Sequence, residues 1–270
     1  MSLLLCRQET VRHPFYVEFL DLHLHSSQEL CYVIYNYPLL VLDDLVGEPL
    51  LAFLREELNL GFLALKLERW LKSGENADEA LAMILQECDY YKPVEINRFK
   101  QQVSGIRRMH PAEYRKLKAD ELFGLRQYGR AVELYQELLE LDEDSYVDEM
   151  FAGRLWNNLG SCYARMFQLE RAFDAFEKAY AKTGERQVLE RLYELTLLDG
   201  RLKLGERLGA LVTQEQKEAW EAKLEAAKKK ASRSEQVQEI EELFARDPVK
   251  RQAGAAKLVA RWKQEYRNMV

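Results

Sequence analysis

The sequence predicts an all-α protein, an antiparallel helix-pair solenoid with a short β-hairpin at its N-terminus. Three observations predict it. Glycine (13) and proline (6) are scarce among the 270 residues, and no proline lies between residues 112 and 247. A β-sandwich or barrel needs a turn signal about every 8–12 residues, so the all-β classes are excluded. Apolar side chains recur at helical spacing behind capping residues. One helical pattern returns in the middle of the chain, the mark of stacked supersecondary units. Apolar residues at 47% and charged residues at 31% fit a globular chain able to bury a core.

From the N-terminus, residues 3–8 and 15–24 read as strands turned at Arg12-His13-Pro14, a β-hairpin within residues 3–24. Period-2 alternation puts Tyr16, Glu18, Leu20, Leu22 and Leu24 on one side, with Val17, Phe19, Asp21, His23 and His25 on the other. Ser26-x-x-Glu29 is a capping box opening a helix to about Asn36. Pro49 suits the first turn of a helix running to about Leu58. Phe62, Leu65, Trp70 and Leu71 mark the next, ended at Ser73-Gly74. Asn76-x-x-Glu79 then caps a helix with the stripe Ala80, Leu81, Ile84, Leu85 and Cys88. Pro93 starts one carrying Val94, Ile96, Phe99, Val103 and Ile106. Residues 1–110 thus form a mostly helical N-terminal region. The segment Glu29-Leu-Cys-Tyr-Val-Ile-Tyr-Asn36 resembles bacterial proteins of unassigned activity, which implies no activity here.

The repeat lies further on. Trp156-x-x-Leu159-Gly160-x-x-Tyr163 is followed by Ala172, Phe176 and Ala179, and Gly184 can end the second helix in a left-handed conformation. Small Gly160 and Ala172 let two helices approach closely, while the aromatic residues fill the space between them. A weaker copy comes first: Ala119, Leu122, Tyr128, Ala131, Tyr135 and Leu138, with Ala131 and Ala172 41 residues apart. Residues 142–149 take up the extra length. A degenerate third copy follows, with Leu189, Leu192, Leu195 and Leu198 on a first helix, a turn at Gly200, and Leu204 to Leu211 as a second.

This pattern resembles the tetratricopeptide repeat (TPR), a 34-residue antiparallel helix pair. The resemblance covers about residues 111–211 and implies a right-handed stack whose first helices line a concave, peptide-binding groove. It assigns Lys116, Asp120, Arg154, Asn157, Asn158, Ser161 and Arg165 to that groove. One TPR subclass grips a terminal carboxylate with lysine, asparagine and arginine. Lys116 and Asn158 match two of those positions, whereas Asp120 stands where asparagine is expected.

Residues 212–270 continue as helices that cap the stack or form a dimer interface, since a repeat array leaves an apolar end to cover. Thr213 caps one helix carrying Trp220, Leu224 and Ala227. Ser232-x-x-Glu235 opens another with Val237, Ile240 and Phe244. Asp247-Pro248 starts the last, with Ala256, Val259, Trp262 and Tyr266 on one face.

Catalytic and metal chemistry find no constellation. His23-x-His25 has only Asp21 beside it on its strand face. Gly200 and Gly205 have P-loop spacing, but Glu206 stands where the phosphate-binding lysine belongs and would repel phosphate. Asp43-Asp44 and Glu56-Glu57 are neighbours pointing about 100° apart on a helix, so neither is a dyad. No catalytic residue, metal or cofactor is assigned. Net charge is −6; residues 213–270 carry 13 basic against 10 acidic side chains, leaving −9 for residues 1–212. That balance argues against nucleic acid as a partner. No run reaches the roughly 18 apolar residues of a membrane span, and the leucine run after Met1 is too short for a secretory signal. Four cysteines without paired spacing fit a reducing cytoplasm. The expected function is a non-enzymatic protein–protein interaction adaptor. It holds a peptide or helix, one bearing an acidic residue, and leaves room for a homo-oligomer. The alternatives are a structural subunit whose groove is filled by its own chain, and an enzyme on the N-terminal half.

Overall fold

A computed structural model describes residues 11–74, 77–141, 146–245 and 247–269. Helices dominate, packed in consecutive adjacent pairs, and one two-stranded antiparallel hairpin stands near the N-terminus. The chain divides into two compact units, Met1–Glu121 and Leu122–Val270.

In the first unit the hairpin sits inside the segment read as one strand. β1 (Phe15–Val17) and β2 (Leu22–Leu24) pair with Tyr16 opposite His23. A single 3-10 turn at Glu18–Leu20 reverses the chain, and Asp21 closes it in the left-handed region at φ 50°. Tyr16 Oη donates to Asp21 Oδ1 at 2.8 Å across this turn. The reversal breaks the period-2 reading: Val17 and Leu24 are buried, while Tyr16 and Leu22 face outward. The other expected strand, 3–8, lies outside the described residues.

Helices α1 (Ser27–Asn36), α2 (Pro38–Val41), α3 (Glu48–Ala52), α4 (Gly61–Ser73), α5 (Ala77–Glu87) and α6 (Pro93–Arg107) follow. α7 (Pro111–Gly124) runs across the division between the units. Ser26 Oγ caps α1 by accepting from the Glu29 N–H at 3.1 Å, and the Glu29 carboxylate reaches back to the N–H of His25. Beyond α3 the chain continues as a π-helical turn, Phe53–Glu57. Gly74 ends α4 at φ 71°. Leu30, Ile34, Leu54, Leu67, Ile84 and Phe99 are among the fully buried side chains. The face expected inward on α4 is corrected: Phe62 is 77% exposed and Leu65 is exposed, whereas Leu63, Ala64 and Leu67 enter the core. Val94 of α6 is likewise exposed.

A polar network ties this unit together. The Arg107 guanidinium donates to both oxygens of Asp78, to Asp43 Oδ1 at 3.0 Å and to the Leu42 carbonyl. Tyr114 Oη donates to Asp43 Oδ2 at 2.6 Å and to the Leu39 carbonyl at 3.1 Å. Arg107 thus gathers α5, α6 and the α2–α3 connection in one fork, as only a planar guanidinium can.

The second unit continues with α8 (Tyr128–Leu139), α9 (Glu149–Arg165), α10 (Leu169–Thr183), α11 (Arg186–Leu198), α12 (Glu206–Leu211), α13 (Gln214–Ala231), α14 (Glu235–Phe244) and α15 (Pro248–Met269). α9 and α10 are antiparallel. A Cβ on Gly153, early in α9, would strike Thr183 at the end of α10, and one on Gly160 would come 2.7 Å from the Phe176 ring. The missing side chain at Gly160 is what lets Phe176 cross there. Asp148 caps α9 by accepting from the Phe151 N–H, and Gly184 ends α10 at φ 63°.

The repeat is visible in the turns. Gln168 N–H donates to the Tyr163 carbonyl at 2.9 Å and Phe167 N–H to the Ala164 carbonyl at 3.1 Å. The same two bonds, at 2.9 and 3.0 Å, join Gln127 to Leu122 and Arg126 to Phe123, 41 residues earlier. Phe167 and Arg126 are both left-handed, at φ 58° and 64°. This is one Schellman turn built twice. Ala131, Tyr135, Leu138, Ala172, Phe176 and Ala179 are all buried at matching positions.

Four details of the expectation change. Trp156 is half-buried, its ring covered by Lys178 with Nζ 4.2 Å from the centroid. In the third pair the second helix is only α12, six residues long, so Leu204 lies outside it, and Leu198 is 54% exposed. Ser234, not Ser232, occupies the N-cap of α14. On α15 it is Leu258 that is buried, while Val259, Trp262 and Tyr266 lie exposed. Thr213 does cap α13, in a reciprocal box with Gln216 at 3.3 and 2.9 Å.

Candidate functional site

The expected groove residues fall on two helices. Lys116 and Asp120 lie on α7 in the first unit, one turn apart, and bind each other at 2.6 Å. Lys116 therefore already holds a carboxylate, its own neighbour's. Arg154, Asn157, Asn158, Ser161 and Arg165 lie on α9 in the second unit.

On α9 the spacings 3, 4 and 4 set Arg154, Asn157, Ser161 and Arg165 along one face, spanning about 16 Å at 1.5 Å per residue. The two ends are exposed and the middle is half-buried. Apolar Leu155, Leu159 and Tyr163 turn the other way and are buried. The middle residues are already engaged. Asn157 Oδ1 accepts a short hydrogen bond from the Arg191 guanidinium of α11. Asn158 Nδ2 donates to Tyr135 Oη of α8 at 3.4 Å. Ser161 Oγ donates to the Asn157 carbonyl at 2.9 Å, back into its own helix. Asn158 and Asn157 thereby hold α9 in register with α8 on one side and α11 on the other.

Arg191 is the residue that sequence reasoning missed. Its guanidinium lies 5.7 Å from the Phe176 ring centroid while bonding Asn157, so it joins the face from the next helix pair. The third copy carries no Trp or Gly-Tyr signature to fix its register, which is why the pattern did not place it. Its position five residues after the start of α11 was the one available signal.

Arg154, Arg165 and Arg191 all lack an ion pair among the described residues; Arg191 is held by Asn157, and the Arg154 guanidinium lies 6.0 Å from the Phe151 ring centroid. Nearby cations are spoken for: Arg171 donates to Tyr163 Oη at 2.9 Å and lies 4.2 Å from that ring centroid, and Lys223 of α13 binds Glu190 and Glu194 of α11. Burial raises the pKa of the Tyr163 hydroxyl, and the Arg171 charge offsets part of that rise. On the far side of α11, burial and the Glu221 carboxylate push Tyr193 up to about 12, so its hydroxyl stays protonated and donates to Glu221 at 2.6 Å. The α9 face is thus a row of hydrogen-bonding groups with, at its ends, two exposed guanidiniums that make no ion pair among the described residues. Such a surface can accept carboxylates by paired N–H bonds and needs no proton transfer to do so.

Among the described residues, no group of three or more His, Cys, Asp or Glu side chains is placed to hold a metal ion. None of their helices is long and apolar enough to cross a membrane. No protein-family model, curated protein or solved structure matches the chain. The helices and their packing define a helical-repeat-like all-helix protein, compatible in architecture with TPR-like stacks.

Proposed function

We propose that the protein is a non-enzymatic, TPR-like adaptor that binds an acidic peptide or helical segment of another protein along α9. The observation that carries this reading is the pair Arg154 and Arg165, exposed on one face and without carboxylate partners among the described residues. Supporting it, Asn157 and Asn158 are held by Arg191 and Tyr135, so the face between the arginines is ordered before a ligand arrives. Ordering in advance lowers the entropy lost on binding. The reading invokes no cofactor and no metal. It places the protein in a reducing cytoplasm, supported by buried free thiols at Cys31, Cys88 and Cys162.

One contact favours a second reading, a structural subunit whose groove is filled by its own chain. Gln168 Nε2 at the α9–α10 turn donates to Tyr266 Oη at 3.5 Å, which brings the end of α15 to the edge of the repeat. The deciding experiment replaces Arg154 and Arg165 together with Ala and compares partner capture from native lysate with that of the unaltered chain. The adaptor reading expects an unchanged helical circular-dichroism signal and clearly weaker capture. Full capture by the folded double variant would remove this face from the function.

A further inference from the structure

The last three helices bury too little to stand alone. Among the described residues of α13, α14 and α15, only Trp220, Leu243 and Leu258 are buried hydrophobics. Trp220 seats α13 against α11, beside Tyr193 at 5.6 Å between ring centroids. α14 and α15 form a hairpin with Leu243 against Gly254, where a Cβ would come 2.3 Å from Leu243 Cδ1, and with Arg261 bound to Glu239 at 2.5 Å. Helices draw most of their stability from packing an apolar face, and one narrow seam leaves this pair short of it.

Each helix of the hairpin also carries an apolar stripe outside that seam. On α14 it is the half-buried Val237 and Ile240 with Phe244, 63% exposed and 5.7 Å from the Arg251 guanidinium of α15; on α15 it is Val259, Trp262 and Tyr266, at 42%, 39% and 45%. Both stripes have the 3-then-4 spacing that packs helix against helix in a bundle. The charges beside them are opposite. α14 holds Glu235, Glu239, Glu241 and Glu242 and no cation. α15 holds Lys250, Arg251, Lys257, Arg261, Lys263 and Arg267 against Glu265 alone.

We propose that the α14–α15 hairpin is a self-association module: two copies of this chain pair through it as an antiparallel four-helix bundle, acidic α14 of each copy lying on the basic stripe of α15 of the other. A surface that is acidic on one helix and basic on the next is complementary to itself under a two-fold axis, so each contact is made twice and the assembly closes. The occupant of the Trp262 stripe is the second copy's Val237–Ile240–Phe244 stripe, and Lys263 and Arg267 meet the second copy's Glu241. Tyr266 at the end of the α15 stripe also meets Gln168 of the α9–α10 turn, and the test, which reads the mass of the assembly, does not depend on the α9 reading.

Sedimentation equilibrium of the full chain tests it. The unaltered protein should sediment as a dimer, with dissociation favoured by added salt because the flanking pairs are exposed. Trp262→Glu should give a monomer whose helical signal is retained by the rest of the molecule. A charge exchange guards against mere unfolding. Lys263→Glu with Arg267→Glu reverses the charges beside the α15 stripe, and Gln238→Lys with Glu241→Lys puts cations on α14 in exchange. Each double variant alone should be monomeric, and their equimolar mixture should form a heterodimer. A monomeric mass for the unaltered chain at every concentration would overturn the proposal. So would a dimer that survives Trp262→Glu, or charge-exchanged variants that fail to pair when mixed while both remain folded.

Discussion

At Gly160 one hydrogen atom decides how two helices meet. A glycine inside a helix costs about 1 kcal/mol relative to alanine, yet here a methyl group would press to 2.7–2.8 Å from the Phe176 ring. The tight crossing outweighs the propensity. Gly160→Ala should therefore destabilise the fold by about 1–3 kcal/mol, the range for overpacking a core. Adding Phe176→Leu should recover part of that loss, and a double-mutant cycle in urea measures the coupling. Zero coupling would mean that the ring does not set the crossing. Trp156 is the opposite case, conspicuous in the sequence yet half-buried beneath Lys178. Losing it should cost less than the 3–5 kcal/mol or so of a fully buried aromatic. Asp43 makes the electrostatic prediction. Burial pushes its carboxyl pKa up, but the Tyr114 hydroxyl and the Arg107 guanidinium outweigh that and hold it below the ordinary value. A carboxyl depressed in the folded state adds stability above its unfolded pKa of about 3.9 and loses it as pH falls through the folded value. Asp43→Asn should lower the urea midpoint at neutral pH and flatten its decline toward acid. An acid limb as steep as in the unaltered chain would show that Asp43 does not drive it.

Among the elements, the two Schellman turns are the firmest sign of repetition, because the same bonds recur 41 residues apart, with glutamine at Gln127 and Gln168 and different side chains at the other positions. Neither turn has glycine at its left-handed position, where a side chain costs about 1–2 kcal/mol. Phe167 is 85% exposed there and gives up little packing if removed. Phe167→Gly should raise stability by up to about 1 kcal/mol after glycine's own entropic cost, read as a higher urea midpoint. A lower midpoint would mean that the Phe167 ring is held by contacts that its exposure belies. Element ends were legible in the sequence because capping is local chemistry: Ser26, Thr213, Gly74 and Gly184 all stand where their residue types suggest. Faces were less legible. On α4 the helical period does choose, since Leu63, Ala64, Leu67 and Leu71 share one side while Phe62 and Leu65 fall among Lys66, Glu68, Arg69 and Lys72; grouping Phe62 and Leu65 with Trp70 and Leu71 ignored that spacing. α15 has a clear stripe, but a stripe read from one chain does not say whether its cover lies within that chain. The strand at 15–24 failed for a further reason, since alternation cannot reveal a tight turn in which Asp21 adopts φ 50°.

Across the whole molecule, charge separates the surfaces. α15 carries six of the chain's 39 basic residues against one acidic residue, while the chain as a whole is −6. The α9 face adds two guanidiniums without ion pairs among the described residues, and the groove assignment came from the repeat register rather than from any chemical motif. Arg191 entered that face only through folding, because its helix lacks the signature that would have placed it. The proposed adaptor differs from a self-filled subunit in one respect: its α9 face would receive another protein rather than its own chain. The most direct measurement is site-specific photocrosslinking in native lysate, with a photoreactive amino acid in place of Ser161, midway between the two arginines. An adaptor should give crosslinks to an acidic segment of a different protein, diminished when Arg154 and Arg165 are both Ala. Crosslinks confined to the chain's own residues, such as those of α15, would contradict it and make the protein a self-filled structural subunit.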